Sequence, residues 1–172
     1  FLPVTIEQAL EFKTANPNSK VVAGNTDLGV LINKNKWTVS TLISLMNIKN
    51  LYAIEDNKDF FYIGSRVNLS VIEESAKNIF PELSRILNVF ASPQIKHAAT
   101  LVGNVLNASP ISDTTPFLMV ADAELEIIGP NGLRFLNIND LYLGYKKLNI
   151  SETEIVTAIR IPKTESKFYL LK

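Results

Sequence analysis

The 172-residue chain contains no cysteine, and this absence excludes several kinds of site. Without thiols it cannot form a disulfide, ligate an iron–sulfur cluster or build a zinc–thiolate site. His97 is the only histidine, so an internal metal site and a Cys–His nucleophile are also disfavoured. A surface or loop histidine is the simpler interpretation of His97. We therefore predict no metal ligands and no catalytic side chains in this chain.

The sequence also lacks an excess of either charge and lacks any long apolar segment. Lysine plus arginine number 17, as do aspartate plus glutamate, whereas nucleic-acid-binding domains usually show a basic excess. No apolar run approaches the roughly 20 residues of a membrane span, and no signal-peptide pattern follows Phe1. We expect neither nucleic acid nor a membrane as a partner. A chain without cysteine suits the cytoplasm, which is the expected location.

Both ends of the chain indicate a piece of a longer protein. The chain begins with Phe1 rather than methionine, and residues 167–172 form an apolar segment that we interpret as a strand. We therefore expect the parent protein to contain a C-terminal domain that is absent here. Hydrophobic residues make up 47% of the chain, enough for one domain or for two small lobes that share a core.

The pattern over residues 1–52 predicts a small α/β lobe. Thr5 and Gln8 have the spacing of a capping box, which predicts that a helix begins there. A strand expected to be buried, a short helix and a second strand follow, at 21–23, 28–32 and 41–45.

Residues 53–172 are predicted to form a larger lobe with an antiparallel sheet flanked by helices. Two hairpins are expected, because polar turns at 56–59 and at Asn131-Gly132 join apolar strands. A further strand is expected at 154–161. The predicted fold class is therefore α+β, with two lobes that divide near residue 52.

Three helices are predicted in the larger lobe. Ser70 is expected to cap a helix over 71–77. Pro81 suits the first turn of a second helix, whose apolar face would include Phe90. Residues 116–121 are expected to form the third, and residues 92–113 a long polar loop.

The first of two unusual loops has the sequence VVAGNTDLGV, at residues 21–30. A strand ends there in Gly24, where the backbone can turn sharply and approach a ligand closely. The amides that follow, at the start of a helix, would form an anion site. The alternative is an ordinary turn in which Thr26 or Asp27 caps the helix.

The second loop, TLVGNVLNASPISD at residues 100–113, is polar and rich in small residues within an otherwise apolar chain. Such a segment is costly to bury without hydrogen-bond partners, and a ligand with phosphates and hydroxyls would supply them. The alternative is a loop that satisfies its own groups through Asx and Ser turns. Together the two loops indicate a dinucleotide site. A Rossmann fold or P-loop is disfavoured, because neither GxGxxG nor GxxxxGK[ST] is present.

The chain contains a predicted strand followed by GNTDL and, further along, the motif TLxGNxxNASPISD. Together these two motifs resemble the flavoprotein subunit of the xanthine dehydrogenase family of molybdenum hydroxylases. Its PCMH-type FAD-binding domain shares the fold of vanillyl-alcohol oxidase and UDP-acetylmuramate reductase. The resemblance extends from the opening LPVTIEQAL helix to the RIP segment that closes the predicted strand. The form ASPISD is more similar to xanthine dehydrogenases than to carbon monoxide dehydrogenases.

The resemblance implies a role for each matching position. Backbone amides of the first loop, centred on Asn25 and Thr26, would surround the FAD pyrophosphate. Phe90 would lie against the flavin ring, Thr100 and Asp113 would hydrogen-bond the cofactor, and Val156 would make an apolar contact. The implied cofactor-binding residues are Val21, Val22, Ala23, Gly24, Asn25, Thr26, Asp27, Leu28, Phe90, Thr100, Gly103, Asn104, Ser109, Asp113, Val156 and Lys172.

Simpler interpretations exist for several of these residues. Phe90 could belong to the core, Asp113 could cap the next helix, and Lys172 could be a disordered terminal residue. One departure from the family pattern is Val102, which stands where the family usually has the first glycine of GGN. A valine there would be strained if the backbone required a positive φ.

The function implied by the resemblance is electron transfer. Substrate would be hydroxylated at a molybdenum centre, and electrons would pass through iron–sulfur clusters to FAD and then to NAD or oxygen. The molybdopterin and the clusters are expected on other domains or subunits, because this chain has no ligands for them. The alternatives are a non-redox binding or assembly module that keeps the fold, and a free-standing flavin reductase of the cell-wall type.

Overall fold

The computed structural model of the chain describes residues 1–34 and 41–163. The strand predicted at 167–172 lies outside these residues. Helix α1 (Ile6–Ala15) begins with the predicted capping interactions. The Thr5 hydroxyl accepts a hydrogen bond from the Gln8 amide at 3.3 Å, and the Gln8 side-chain carbonyl accepts one from the Val4 amide at 3.0 Å. The first of these bonds satisfies an amide that a helix N-terminus leaves without an intrahelical partner.

A small parallel sheet follows α1. It is formed by β1 (Lys20–Val22) and β2 (Leu42–Ser44), and the connection between them contains α2 (Thr26–Asn33). A parallel pair requires such a crossover, whereas an antiparallel pair needs only a tight turn. Ile43 of β2 is fully buried in a small core that also contains Ala9 of α1 and Ile155 from the C-terminal part of the chain. Ile155 therefore links the small sheet to the larger one.

The larger part of the fold is built on an antiparallel sheet. Its elements are β3 (Ile54–Asp56), β4 (Phe60–Gly64), α3 (Leu69–Ser75), α4 (Pro81–Val89), α5 (Pro93–Lys96), α6 (Leu101–Leu106), α7 (Thr114–Val120), β5 (Glu124–Gly129), β6 (Gly132–Asn137), β7 (Tyr142–Gly144), β8 (Lys147–Leu148) and β9 (Ile155–Pro162). Short 3₁₀ turns cover 45–47, 49–52 and 138–140. The sheet order is β3-β4-β9-β5-β6, while β7 and β8 pair separately.

The main core lies between one face of this sheet and helices α3, α4, α6 and α7. Strand β5 shows the alternation that produces it, since Leu125 and Ile127 are fully buried whereas Glu124 and Glu126 are only partly buried on the other face. A period of two along the strand places every second side chain in the core. The predicted α+β class, with an antiparallel sheet flanked by helices, is confirmed.

Both predicted hairpins are confirmed, and their turn chemistry explains them. In the turn between β3 and β4, the Asn57 side-chain carbonyl accepts hydrogen bonds from the Asp59 and Phe60 amides at 3.1 and 2.9 Å. In the turn between β5 and β6, Gly132 has a φ of 99°, a backbone conformation that residues other than glycine rarely adopt.

The helix predicted over 71–77 begins earlier, and its cap is not Ser70. Asn68 is the N-cap of α3, and its side-chain oxygen accepts a hydrogen bond from the Val71 amide at 3.0 Å. The Ser70 hydroxyl donates to the same Asn68 oxygen at 2.8 Å, so it supports the cap rather than forming it.

The prediction of a long loop over 92–113 is wrong, because two short helices, α5 and α6, lie within these residues. Ser92 and Thr100 are their N-caps. Their hydroxyl oxygens accept hydrogen bonds from the Ile95 and Gly103 amides, at 3.4 and 3.1 Å. The polar residues that suggested a loop are thus partly the residues that begin helices. None of the described helices combines the length and apolar character needed to cross a membrane.

Candidate cofactor site

The first loop turns at the end of β1, where Asn25 precedes α2 in a left-handed conformation with a φ of 60°. Asn25 occupies the N-cap position, but its side chain does not bond to the first turn of α2. The predicted alternative, in which Thr26 or Asp27 caps this helix, is wrong because Thr26 is already its first residue. The amides at the start of α2 therefore lack a side-chain cap and remain available to an anion.

Gly24 brings the first loop into contact with the start of the second. A Cβ atom on Gly24 would lie 2.8 Å from the Ala99 Cα and closer still to the Ala98 carbonyl oxygen. Real Cβ atoms do not approach backbone atoms so closely. The backbone of Gly24 does not have a left-handed φ, so the need for glycine here is one of space rather than of conformation.

The second loop is held by its own side chains. The Thr100 hydroxyl is buried and caps α6, as described above. The Asn104 side-chain oxygen accepts hydrogen bonds from the Ser112 and Thr114 hydroxyls, at 3.0 and 2.6 Å. The alternative interpretation, in which the polar groups of the loop bond to one another, is therefore correct for Asn104 and its partners. It does not describe Asp113, which precedes α7 but makes no side-chain capping bond.

Both loops line one cleft, which has a volume of about 640 Å³. This volume lies within the range of about 300–1,000 Å³ that is usual for small-molecule and cofactor sites. All of the predicted site residues that fall within the described ranges line this cleft, whereas Lys172 lies outside those ranges. The lining thus includes Val21, Val22, Ala23, Gly24, Asn25, Thr26, Asp27, Leu28, Phe90, Thr100, Gly103, Asn104, Ser109, Asp113 and Val156.

Strand β1 differs from its prediction as a buried strand. Val21 is 37% exposed and Val22 is only partly buried, and both residues line the cleft. The apolar character that suggested burial in the protein core instead provides an apolar wall for the cleft. A ligand that covered this wall would remove it from water.

Residues 1–164 match the model of a family described as the FAD binding domain in molybdopterin dehydrogenase. The chain belongs to this family. It is 31% identical to the xanthine dehydrogenase of Oryza sativa subsp. japonica and 28% identical to the xanthine dehydrogenase/oxidase of Gallus gallus. These matches cover 95% and 97% of this chain but 13% of each relative, so the chain spans a small part of their length.

A solved structure has the same fold. The reconstituted CO dehydrogenase from Oligotropha carboxidovorans is superimposed with a TM-score of 0.89 and 26% identity, over 95% of this chain and 58% of that one. The predicted family and the predicted cofactor, FAD, are therefore confirmed.

The cleft of this FAD-binding domain has the mixed chemistry that FAD requires. Leu45, Ile155 and Val156 form a buried apolar part of its wall, whereas the two loops contribute amides, hydroxyls and side-chain amides. FAD carries an aromatic ring system together with phosphates and hydroxyls, so it would use both kinds of surface. The absence of a side chain at Gly24 allows the two loops to lie against each other at this cleft.

Positive charge is absent from the wall of the cleft within residues 1–34 and 41–163. The charged side chains that line it there are Asp27, Asp113 and Glu154. A phosphate held by these described residues would therefore be bound by backbone amides and hydroxyls rather than by lysine or arginine. No group of three or more potential metal ligands occurs among the same residues.

Phe90 lies just after α4 rather than on its apolar face. The helix ends at Val89, and Phe90 continues in an extended conformation at its C-cap. Its ring is only partly buried against the main core and also lines the cleft. Phe90 therefore both packs against the core and lines the cleft.

Val102 causes no backbone strain. It lies within α6, is nearly fully buried, and does not have a positive φ. The second glycine of the family pattern corresponds to Gly103, whose amide donates the capping hydrogen bond to the Thr100 hydroxyl described above. A valine at position 102 therefore fits the loop without altering its path.

Two polar residues of the cleft that lie outside both loops, Glu154 and Ser65, were not among those predicted. Glu154 accepts hydrogen bonds from Nε and Nη2 of Arg134, at 2.6 and 2.8 Å, and this pairing lowers the pKa of the Glu154 carboxyl. Ser65 follows β4, and its buried hydroxyl has no hydrogen-bond partner in the described structure. No local pattern marks Ser65, because its burial depends on the pairing of distant strands.

Proposed function

We propose that this FAD-binding domain serves electron transfer in a molybdenum hydroxylase related to xanthine dehydrogenase, between iron–sulfur clusters and NAD or oxygen. The observation that carries the proposal is the single cleft lined by both loops, in a chain with xanthine dehydrogenase relatives. Bound FAD would supply one-electron and hydride chemistry that side chains lack. The non-redox alternative is not favoured, because the matching family is one of FAD-binding domains.

The residues of the cleft would hold and orient the cofactor. We assign the pyrophosphate to the amides around Asn25 and Thr26, because the start of α2 has no side-chain cap. Thr100 and Asp113 would hydrogen-bond the cofactor. Phe90 would contact the flavin ring, and Val156 would pack against an apolar part of FAD. We assign no acid or base, since electron transfer from clusters requires none from this domain.

Other parts of the proposed enzyme would complete the electron path. We place the molybdopterin and the iron–sulfur clusters on partner domains or subunits, as the xanthine dehydrogenase relatives suggest. We propose a cytoplasmic location, with which a cysteine-free chain is compatible. We also place the boundary between the two lobes at residues 52 and 53. The end of a 3₁₀ turn at Tyr52 and the start of β3 at Ile54 support this position.

The first experiment is an FAD titration of the natively purified protein after its flavin has been removed, with FMN as the comparison. Saturable binding of FAD, with much weaker binding of FMN, is expected because the proposed site holds a pyrophosphate. In the complex with its molybdenum and iron–sulfur partners, anaerobic addition of a purine should then bleach the flavin absorbance, and NAD should restore it. If a purine failed to reduce bound FAD, purines would be rejected as the substrate class of the parent enzyme, whereas the assignment of the FAD site would stand.

A variant pair tests the site itself. Asp113→Ala should weaken FAD binding, because Asp113 lines the cleft and its carboxylate makes no capping bond. Asp140→Ala is the matched control, since Asp140 lies in a 3₁₀ turn outside the cleft. Equal FAD affinities for the two variants would reject the assignment of Asp113.

A further inference from the structure

The wall of the cleft contains a hydroxyl that the fold itself does not use. Ser65 is 1% exposed, and its Oγ atom has no hydrogen-bond partner in the described part of the chain. Burying a hydroxyl without a partner is unfavourable, so native structures usually provide a bond from protein, water or ligand. Apolar residues that line the same cleft as Ser65 include Leu45, Ala99, Ile155 and Val156.

The backbone holds Ser65 rigidly in this position. Three consecutive amides are bonded: Gly64 donates to Ala53 at 2.9 Å, Ser65 to Thr157 at 2.8 Å and Arg66 to Leu51 at 2.8 Å. Gly64 also lies against the Leu51 carbonyl so closely that a Cβ atom would not fit. These bonds fix the backbone at the end of β4, and with it the position of the Ser65 side chain beside the cleft.

The remaining source of a partner is the contents of the cleft. We infer that the Ser65 hydroxyl donates a hydrogen bond to an oxygen of FAD in its ribityl–pyrophosphate stretch, and that Ser65 is a cofactor-binding residue. This stretch is favoured because the segment that follows Ser65 pairs with the second loop through the bridge between Asn68 and Thr100, and Ala99 contacts Gly24 of the first loop. Those are the polar loops to which the phosphates and hydroxyls are assigned. The inference rests on the proposed function of the cleft.

This role makes an unusual prediction, because the same substitution should affect the apo and FAD-bound forms differently. In Ser65→Ala the unpartnered hydroxyl is gone, so the apo protein should keep its melting temperature or gain stability. FAD binding should weaken by about tenfold, which corresponds to about 1.4 kcal/mol. A serine that stabilises the fold would instead lower the apo melting temperature when replaced.

Ser70→Ala is the matched control. The Ser70 hydroxyl donates to Asn68 at 2.8 Å and does not line the cleft. This variant should melt at a slightly lower temperature in the apo form and bind FAD as the wild type does.

The experiment compares the natively purified wild-type protein and both variants, each stripped of flavin. FAD dissociation constants are measured by flavin fluorescence, and apo melting temperatures by circular dichroism. Weaker FAD binding in Ser65→Ala without a lower apo melting temperature supports the inference. Unchanged FAD affinity, or a fall in apo stability that matches the loss of affinity, overturns it. Absence of FAD binding by the wild type would instead overturn the proposed function and this inference with it.

Discussion

The contact at Gly24 allows a quantitative test of how the two loops form one site. In Gly24→Ala, the added methyl group would lie 2.8 Å from the Ala99 Cα, whereas carbon atoms in contact prefer about 3.5–4.0 Å. The two loops must therefore separate by about 1 Å to restore normal packing. Both neighbouring atoms, the Ala98 oxygen and the Ala99 Cα, belong to the backbone, so no flexible side chain can move aside.

Two consequences of this separation can be measured. Overpacking of this kind costs about 1–3 kcal/mol of folding free energy, so the apo variant should unfold more easily. A hydrogen bond near 2.9 Å is lost when it lengthens by about 1 Å, and a bond to a charged phosphate contributes about 1.5–3 kcal/mol. Loss of one such bond weakens FAD binding by about ten- to a hundredfold. The FAD dissociation constant and the free energy of unfolding are measured on the native protein.

Gly29→Ala provides the control, because Gly29 belongs to the same loop and to α2 but does not line the cleft. A Cβ atom there would lie 3.5 Å from the Asn25 side-chain nitrogen, which is an ordinary contact. Alanine is favoured over glycine inside a helix by about 0.5–1 kcal/mol, so this variant should be slightly more stable and bind FAD normally. The reasoning would be refuted by a Gly24→Ala protein that binds FAD and unfolds as the wild type does.

Three further predictions concern other parts of the fold. Asn104→Ala removes the acceptor of two hydroxyl bonds, so it should weaken FAD binding and increase hydrogen exchange in the second loop; unchanged exchange would contradict this role. Pairing with Arg134 lowers the pKa of the Glu154 carboxyl, so its stabilising effect is present above the unfolded pKa and is lost as the pH falls through the lower folded pKa. The stability difference between wild type and Glu154→Gln, measured by urea unfolding, should therefore shrink on acidification, and a constant difference would reject the pairing. Burial, followed by the nearby Glu126 carboxylate, raises the pKa of Tyr62 to about 12. The stability that this neutral phenol contributes should be lost as the pH rises from about 10 to 12. In an alkaline titration, the tyrosinate absorbance that appears only near pH 12 should be missing in Tyr62→Phe.

The parts of the fold that could be predicted from sequence are those that short-range chemistry determines. The capping box at Thr5 and the glycine turn at Gly132 depend on residues within a few positions of each other. Strands of the large sheet such as β5 were recognisable because one face is buried, which produces alternation. Their order in the sheet, with β9 between β4 and β5, is set by long-range packing and could not be predicted from the local patterns.

The second loop shows why short helices escape prediction. Helices α5 and α6 contain four and six residues, too few to display a helical period of apolar residues. Their caps, Ser92 and Thr100, are also residues typical of turns. Ser65 escaped for a different reason, since its burial results from β4 pairing with β9 rather than from any feature of the neighbouring sequence.

The composition of the two loops has a physical explanation in the structure. A P-loop supplies a lysine to its phosphates, whereas the described wall of this cleft has carboxylates as its only charged groups. Binding of phosphate by amides and hydroxyls requires close backbone approach, exposed helix starts and short polar side chains. Gly24 lets the backbones of the two loops approach each other, Asn25 and Thr26 lie at a helix start without a side-chain cap, and Thr100 and Ser109 contribute short polar side chains. The small, polar character of both loops is therefore the property by which the sequence indicates a dinucleotide site without either of the common nucleotide motifs.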